Sequence, residues 1–188
     1  MNVVTILGGP RTDGNTDRLL DWTERALRDS HHAVTRINLA ELSVHGCRSC
    51  FACTEVTDEP GCILSDDGLS VFEKLIAADA IVYATPLFMW GFPAQLKGLL
   101  DRSICLVHDY GSPEHQSLVE GKPAALLVAC AGPIESNADL VVTAFDRFVQ
   151  YMKLDHRGTF IFPHCTDVNM LPNTHGSQAR QLARDLVE

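Results

Sequence analysis

Long apolar runs are missing from this sequence of 188 residues. No stretch approaches the ~18 consecutive apolar residues of a membrane-spanning helix. Even residues 124–134 fall far short and carry Gly132-Pro133. A basic excess is missing too: 15 Lys and Arg face 24 Asp and Glu, a formal net charge of −9. A general nucleic-acid binder needs a basic face to displace counterions from phosphates, so that class of partner is excluded. Residues 1–8 carry no basic group ahead of an apolar run too short for a secretory signal, and the expected compartment is the cytoplasm. Linkers rich in Pro, Gly and Ser, internal repeats and low-complexity tracts are also absent, so one domain over 1–188 is expected.

What is present is enough apolar material for a core, at 46% of residues. A chain this long buries about 70% of its unfolded surface. Short β-branched or apolar runs at 3–7, 33–38, 80–84, 124–129 and 157–162 read as strands. Helical spacing marks 15–29, 69–79, 93–104, 140–152 and 177–187, while 107–121 reads as a polar loop. Five strands alternating with five helices imply right-handed crossovers and an α/β parallel sheet covered on both faces. Ligands bind such sheets beyond the carboxyl ends of the strands, where the strand order reverses. The loops after Leu7, Ala84 and Ala129 are therefore the places to look for chemistry.

The first of these, Gly8-Gly9-Pro10-Arg11-Thr12-Asp13-Gly14-Asn15-Thr16, offers backbone amides at a helix start, glycines, an arginine and a hydroxyl. That combination suits phosphate. It is neither a Walker loop nor a Gly-x-Gly-x-x-Gly fingerprint. The alternative is a tight turn in which Asn15 or Thr16 caps the helix. The second loop, Thr85-Pro86-Leu87-Phe88-Met89-Trp90-Gly91-Phe92-Pro93, is apolar and aromatic. Taken alone it reads as core packing, with the wall of a flat cavity as the alternative. The third, Cys130-Ala131-Gly132-Pro133-Ile134-Glu135, has small residues that let a ligand approach the backbone. Together they suit a flat cofactor with one phosphate tail, the shape of flavin mononucleotide.

Two motifs carry a resemblance. Gly9-Pro10-Arg11-x-x-Gly14-Asn15-Thr16-x-x-Leu19 and Thr85-Pro86-Leu87-Phe88-Met89-Trp90-Gly91-Phe92-Pro93-Ala94-Gln95-Leu96-Lys97-x-x-Leu100-Asp101-Arg102 resemble the phosphate and flavin loops of flavodoxin-like NAD(P)H-dependent FMN reductases. The resemblance implies a flavodoxin-like three-layer sandwich with strand order 2-1-3-4-5. It implies that Gly9, Pro10, Arg11, Gly14, Asn15 and Thr16 hold the FMN phosphate. Pro86, Leu87, Phe88, Met89, Trp90 and Gly91 would line the ring, with Ala131 and Gly132 approaching from the third loop. The family usually has serine where this chain has Gly9. Hydride from NADH or NADPH would pass to flavin N5 and on to a quinone, a nitro- or azo-aromatic, free flavin or a redox partner. That chemistry needs no dedicated side-chain acid or base, and a homodimer is implied. Arg48, Arg102 and Lys122 are the candidate cations for a nicotinamide 2′-phosphate.

Seven cysteines remain to be explained, an odd count that does not suggest a disulfide scaffold. Cys47, Cys50, Cys53 and Cys62 have spacings x2, x2 and x8. Successive x2 spacings wrap a [4Fe–4S] cluster and are awkward for structural zinc. Iron–sulfur flavoproteins of the resembling superfamily carry such a motif in this place, whereas related flavoproteins keep similar cysteines with no cluster. Packing thiols in a lid, a disulfide and zinc stay open beside the cluster. Cys105, Cys130 and Cys165 are expected in the core, and Asp66-Asp67 as a cap for the helix that follows.

Overall fold

In the computed structural model, which describes residues 1–188, all five expected strands lie in one parallel sheet. They are β1 (Asn2–Leu7), β2 (Ala33–Asn38), β3 (Ala80–Pro86), β4 (Pro123–Ala129) and β5 (Asp155–Phe162). Among these five the spatial order is 2-1-3-4-5, as expected, and the order reverses between β1 and β3. The helices are α1 (Asn15–Asp29), α2 (Gly68–Ala77), α3 (Ala94–Arg102), α4 (Asp139–Tyr151) and α5 (Asn173–Val187). No helix is long and apolar enough to cross a membrane.

The central strands are near-continuous apolar runs because both faces are covered. Ile81 and Tyr83 of β3, with Ala124, Leu126 and Val128 of β4, join the core under α2, α3 and α4. The alternate residues Ala80, Val82, Ala84, Ala125, Leu127 and Ala129 face α1 and α5. Small side chains on that second face let the two helices sit close to the sheet and to each other. Tyr83 packs edge-on to Phe145 and Phe148 at ring separations of 5.5 and 5.7 Å. Such pairs add about 0.5–1.5 kcal/mol beyond the area buried.

The β2 edge is held by charge. Arg36 of β2 meets Asp17, Asp21 and Glu24 along α1, and Thr5 Oγ1 donates to Glu24 Oε1 at 2.6 Å. At the other edge the register shifts opposite Ala124 and Ala125, and Gly158 takes φ +121° to absorb the extra residue.

Several local expectations change in the folded chain. Helix α3 ends at Arg102 and tightens into a 3₁₀ turn, Ser103–Leu106. Segment 107–121 is not wholly a polar loop: Val107–His108 pairs antiparallel with Gln116–Ser117, and Val107, His108 and Val119 are buried. Leu140, although on the 3-4 spacing of α4, is 60% exposed. Helix α5 starts four residues before the expected 177 and so takes in His175, buried edge-on against Phe162.

Candidate functional site

Beyond the carboxyl end of β1 the chain turns under α3. Gly8 N donates to Ala84 O at 2.7 Å, and a Cβ on Gly8 would stand 2.8 Å from Leu96. A Cβ on Gly9 would stand 3.0 Å from Pro86 Cδ, so the first and second loops touch where the family usually has serine. Gly14 enters α1 in an extended conformation with no side-chain cap, so neither Asn15 nor Thr16 plays the capping role. The first amides of α1 are left for another acceptor, at the end of the helix where the backbone dipoles favour an anion. The Arg11 guanidinium lies across this entry, 3.7–3.8 Å from where a Gly14 Cβ would be.

These residues open into a cavity of about 200 Å³, lined by Gly9, Pro10, Arg11, Gly14, Asn15 and Thr16 from the first loop. Pro86, Leu87 and Phe88 come from the second, Ala129 and Ala131 from the third, and Cys165 from beyond β5. Asn15 is split between two tasks. Its Nδ2 donates to Cys165 O at 2.7 Å, which ties the first loop to the segment after β5. Its Oδ1 is buried without a partner. The donor set therefore fits a phosphate, and the orphaned Oδ1 fits a ligand hydroxyl, as a sugar-alcohol chain would supply.

Leu87 and Phe92 of the second loop pack against the core, but its tip does not. Phe88 and Gly91 exchange backbone hydrogen bonds of 3.1 and 3.0 Å, closing a tight turn with Met89 at φ 47° and Trp90 at φ 62°. Left-handed φ at a non-glycine residue costs about 1–2 kcal/mol, so the turn is held against local preference. It carries Phe88, Met89 and Trp90 outward at 44, 83 and 50% exposure. Leu87 N donates to Ala129 O at 2.9 Å, which fixes the second loop against the third.

The cysteine segment has one regular element between Glu41 and Gly68, a 3₁₀ turn at Ala52–Glu55. It is anchored by carboxylates instead. Arg102 Nη1 meets both Asp66 oxygens at 2.7 Å and the His45 carbonyl at 3.2 Å. Asp66 also accepts from the amides of His45 and Gly68, each at 2.9 Å. Burial pushes the Asp66 carboxyl up, but the Arg102 and amide hydrogen bonds outweigh it and hold the group well below the usual carboxylate range. Asp67 accepts from Ser43 N at 2.7 Å and makes no side-chain cap. The expected cap is thus chiefly a tether, because the segment before α2 folds back onto these two carboxylates. A Cβ on Gly68 would stand 2.5–2.7 Å from guanidinium atoms of Arg102.

Cys47, Cys50, Cys53 and Cys62 all line one cavity of about 380 Å³, and Cys105 joins them. Cys47 and Cys50 are exposed, Cys53 and Cys62 half-buried, and Cys105 buried. Gly61 packs against Cys53, where a Cβ would lie 2.9 Å from its Cα. Burial, then neighbouring thiols, pushes Cys53 up; burial takes Cys105 to about 12. In this conformation no three His, Cys, Asp or Glu side chains converge as metal ligands do. Arg102 is 1% exposed, and its Nε and Nη2 have no partner. A buried unpaired donor costs about 1–3 kcal/mol.

Known proteins bear on this geometry. The family described as NADPH-dependent FMN reductase matches residues 1–153. The chain belongs to that family. The chain is 32% identical over 106 residues to an iron–sulfur flavoprotein of Methanosarcina thermophila, covering 56% of this chain and 54% of that protein. It spans about half the length of the first iron–sulfur flavoproteins it matches. It is 29% identical over 157 residues to an FMN-dependent NADH:quinone oxidoreductase of Alcanivorax borkumensis, covering 77 and 78% of the two chains. An NAD(P)H:quinone oxidoreductase from Methanothermobacter marburgensis shares the fold at TM-score 0.76 and 18% identity, over 100 and 96% of the chains.

For this family member the fold brings together most of the residues singled out for the flavin. Met89, Trp90, Gly91 and Gly132 are not on the cavity wall: the first three lie in the outward turn, and Gly132 abuts the Asn137 side chain. Of the cations considered for a 2′-phosphate, Arg102 is committed to Asp66, and Lys122 Nζ donates to Ala78 O at 2.6 Å. Arg48 lines the cysteine cavity. Cys165, which follows the last strand and so could reach this edge, does line the pocket of the three loops, whereas sequence reasoning missed Cys105 in the cysteine cavity. Cys105 follows closely on the flavin-loop motif, whose last residue is Arg102, and that adjacency was the available signal.

Proposed function

We propose that the chain acts over residues 1–188 as an FMN-dependent NAD(P)H oxidoreductase delivering reducing equivalents to a small electron acceptor. A quinone, a nitro- or azo-aromatic, a free flavin or a redox partner would fit. The observation that carries this reading is the shared pocket: an uncapped helix start, Arg11 and the second and third loops border one cavity beyond the strand ends. Arg11, the α1 amides and Thr16 hold the phosphate, and Asn15 Oδ1 accepts from a ligand hydroxyl. Pro86, Leu87 and Phe88 flank the ring with Ala131 opposite, while Met89, Trp90 and Gly91 shape the rim over which nicotinamide and acceptor arrive in turn. When bound, FMN supplies a hydride acceptor that no side chain of the chain offers. A homodimer through the exposed Phe88, Met89 and Trp90 and segment 107–121 accompanies this reading, in the cytoplasm.

The test is to purify the protein, release and identify its flavin, and follow anaerobic oxidation of NADH and NADPH with a quinone present. Bound FMN and quinone-dependent turnover support the reading. No FMN uptake at micromolar concentration refutes it. A second reading is an electron carrier with a [4Fe–4S] cluster on Cys47, Cys50, Cys53 and Cys62. It draws on the single cavity these thiols line beside a buried cation. Acid-labile sulfide stoichiometric with four irons supports that reading, and a pure flavin spectrum after anaerobic purification sinks it.

A further inference from the structure

The thiols of the cysteine-lined cavity do not converge as the ligands of one metal centre do, but the backbone brings two of them together. Cys53 and Cys62 are both half-buried, and both pack against the core beneath α2 and α3 while lining the same cavity. A Cβ on Gly61 would stand 2.9 Å from both the Cα and the carbonyl oxygen of Cys53, so the residue before Cys62 lies directly against Cys53. That contact brings Cys62 near the Cα separation of about 4.4–6.8 Å that a disulfide spans. Among the neighbouring thiols Cys62 acts on Cys53 more strongly than Cys47 or Cys50 does, as the nearest would. Cys47 and Cys50 are exposed instead. From residues 54–61 a single backbone hydrogen bond reaches the body of the fold, Gly61 N to Cys105 O at 3.4 Å, so little resists the remaining adjustment.

We propose that Cys53 and Cys62 are a redox-active dithiol, oxidised by a hydroperoxide to an intramolecular disulfide and restored by a dithiol reductant. Burial pushes the Cys53 thiol up, which keeps it protonated and leaves the first attack to Cys62. The Cys62 sulfur attacks a peroxide oxygen, the O–O bond breaks, and a sulfenic acid and water (or an alcohol) result. The Cys53 sulfur then displaces the hydroxyl, which leaves as water with the Cys53 proton, and the S–S bond forms. Two thiols lose two electrons and one hydroperoxide gains them. Reduction runs by exchange, in which the reductant's two thiols become its own disulfide. Cys105, buried on the 3₁₀ turn after α3 and pushed up to about 12, stays a thiol. The cavity shares no lining residue with the pocket of the three loops, so the step needs no flavin. A cluster on the cysteines would exclude it.

The purified protein, with its iron and flavin content assayed, is treated with hydrogen peroxide at neutral pH, and the remaining thiols are blocked with N-ethylmaleimide in denaturant. Non-reducing peptide mass spectrometry after cleavage at Arg48 and Glu55, which separates Cys53 from Cys62, locates the bond. The expected result is a Cys53–Cys62 disulfide, with two of the seven thiols lost and all restored by dithiothreitol. Cys53→Ser stops at the Cys62 sulfenic acid, which dimedone traps; Cys62→Ser gives neither product, and Cys50→Ser still forms the bond. Should the serine variants fail to fold, the bond mapped in the unaltered protein decides the pairing by itself. A bond through Cys47, Cys50 or Cys105 overturns the pairing, and a dimedone adduct on Cys53 overturns the order of attack. Formation only when FMN is bound overturns its independence of the flavin. No disulfide in excess peroxide, no recovery with dithiothreitol, or four irons with sulfide in the purified protein overturns the proposal altogether.

Discussion

Replacing Asp66 with Asn removes one negative charge, preserves the side-chain shape, and isolates what the Arg102 pair does. The carboxylate is 4% exposed and the guanidinium 0%, with both oxygens 2.7 Å from Nη1. Asn keeps one oxygen for the Gly68 or His45 amide but leaves the buried guanidinium without its counter-charge. Breaking a buried pair from one side costs about 3–5 kcal/mol. At about 2–4 °C per kcal/mol for a chain of this size, the melting temperature should fall by roughly 6–20 °C at pH 7. The pH dependence gives an independent check. The folded pKa of Asp66 is depressed, so its stabilisation is complete above the unfolded value near about 3.9 and lost as pH falls below it. The gap between wild type and Asp66→Asn should therefore narrow on going from pH 6 to pH 3. Thermal and urea melts across that range read both effects. A melting point within about 2 °C of wild type at pH 7, or a gap as wide at pH 3 as at pH 6, would refute the reasoning.

Other consequences are separable. Arg11→Ala, at an exposed position, should weaken FMN binding by roughly 1.5 kcal/mol, about tenfold in Kd, and less so in high salt. Flavin fluorescence quenching measures it, and an unchanged Kd means the phosphate loop is misassigned. Gly68→Ala forces a methyl group into guanidinium atoms 2.5–2.7 Å away and should lower stability by about 1–3 kcal/mol. An unshifted urea midpoint would show that Arg102 is not packed there. Native protein treated with iodoacetamide at pH 8 should be alkylated at exposed Cys47 and Cys50. Cys105 and Cys165, whose thiols burial pushes up to about 12, should stay unmodified; peptide mass spectrometry that finds them labelled first contradicts the burial pattern.

The α/β order, four of the five helix starts and the three carboxyl-end loops are legible along the chain because each is written in local periodicity, whereas α5 begins at Asn173, four residues before the expected start. Residues 80–84 and 124–129 are unbroken apolar runs since both faces of a central parallel strand are covered. The amphipathic pattern of 15–29 coincides with α1, and Gly14-Asn15-Thr16 marks its start. The reading of residues 8–16 as an anion loop likewise drew on no tertiary information, since glycines, an arginine and a helix start lie within nine residues.

Only the folded chain decides features that join distant segments. The apolar second loop looks like core until the Phe88–Gly91 pairing turns Met89 and Trp90 outward. Cys105 looks like an isolated core thiol until segment 47–62 folds back beside α3, and Arg102 looks like a free cation until Asp66, 36 residues earlier, meets it. Periodicity tells which side of an element avoids water. It cannot tell which remote surface covers that side, and charge pairing, cavity membership and the direction of a turn all depend on that meeting.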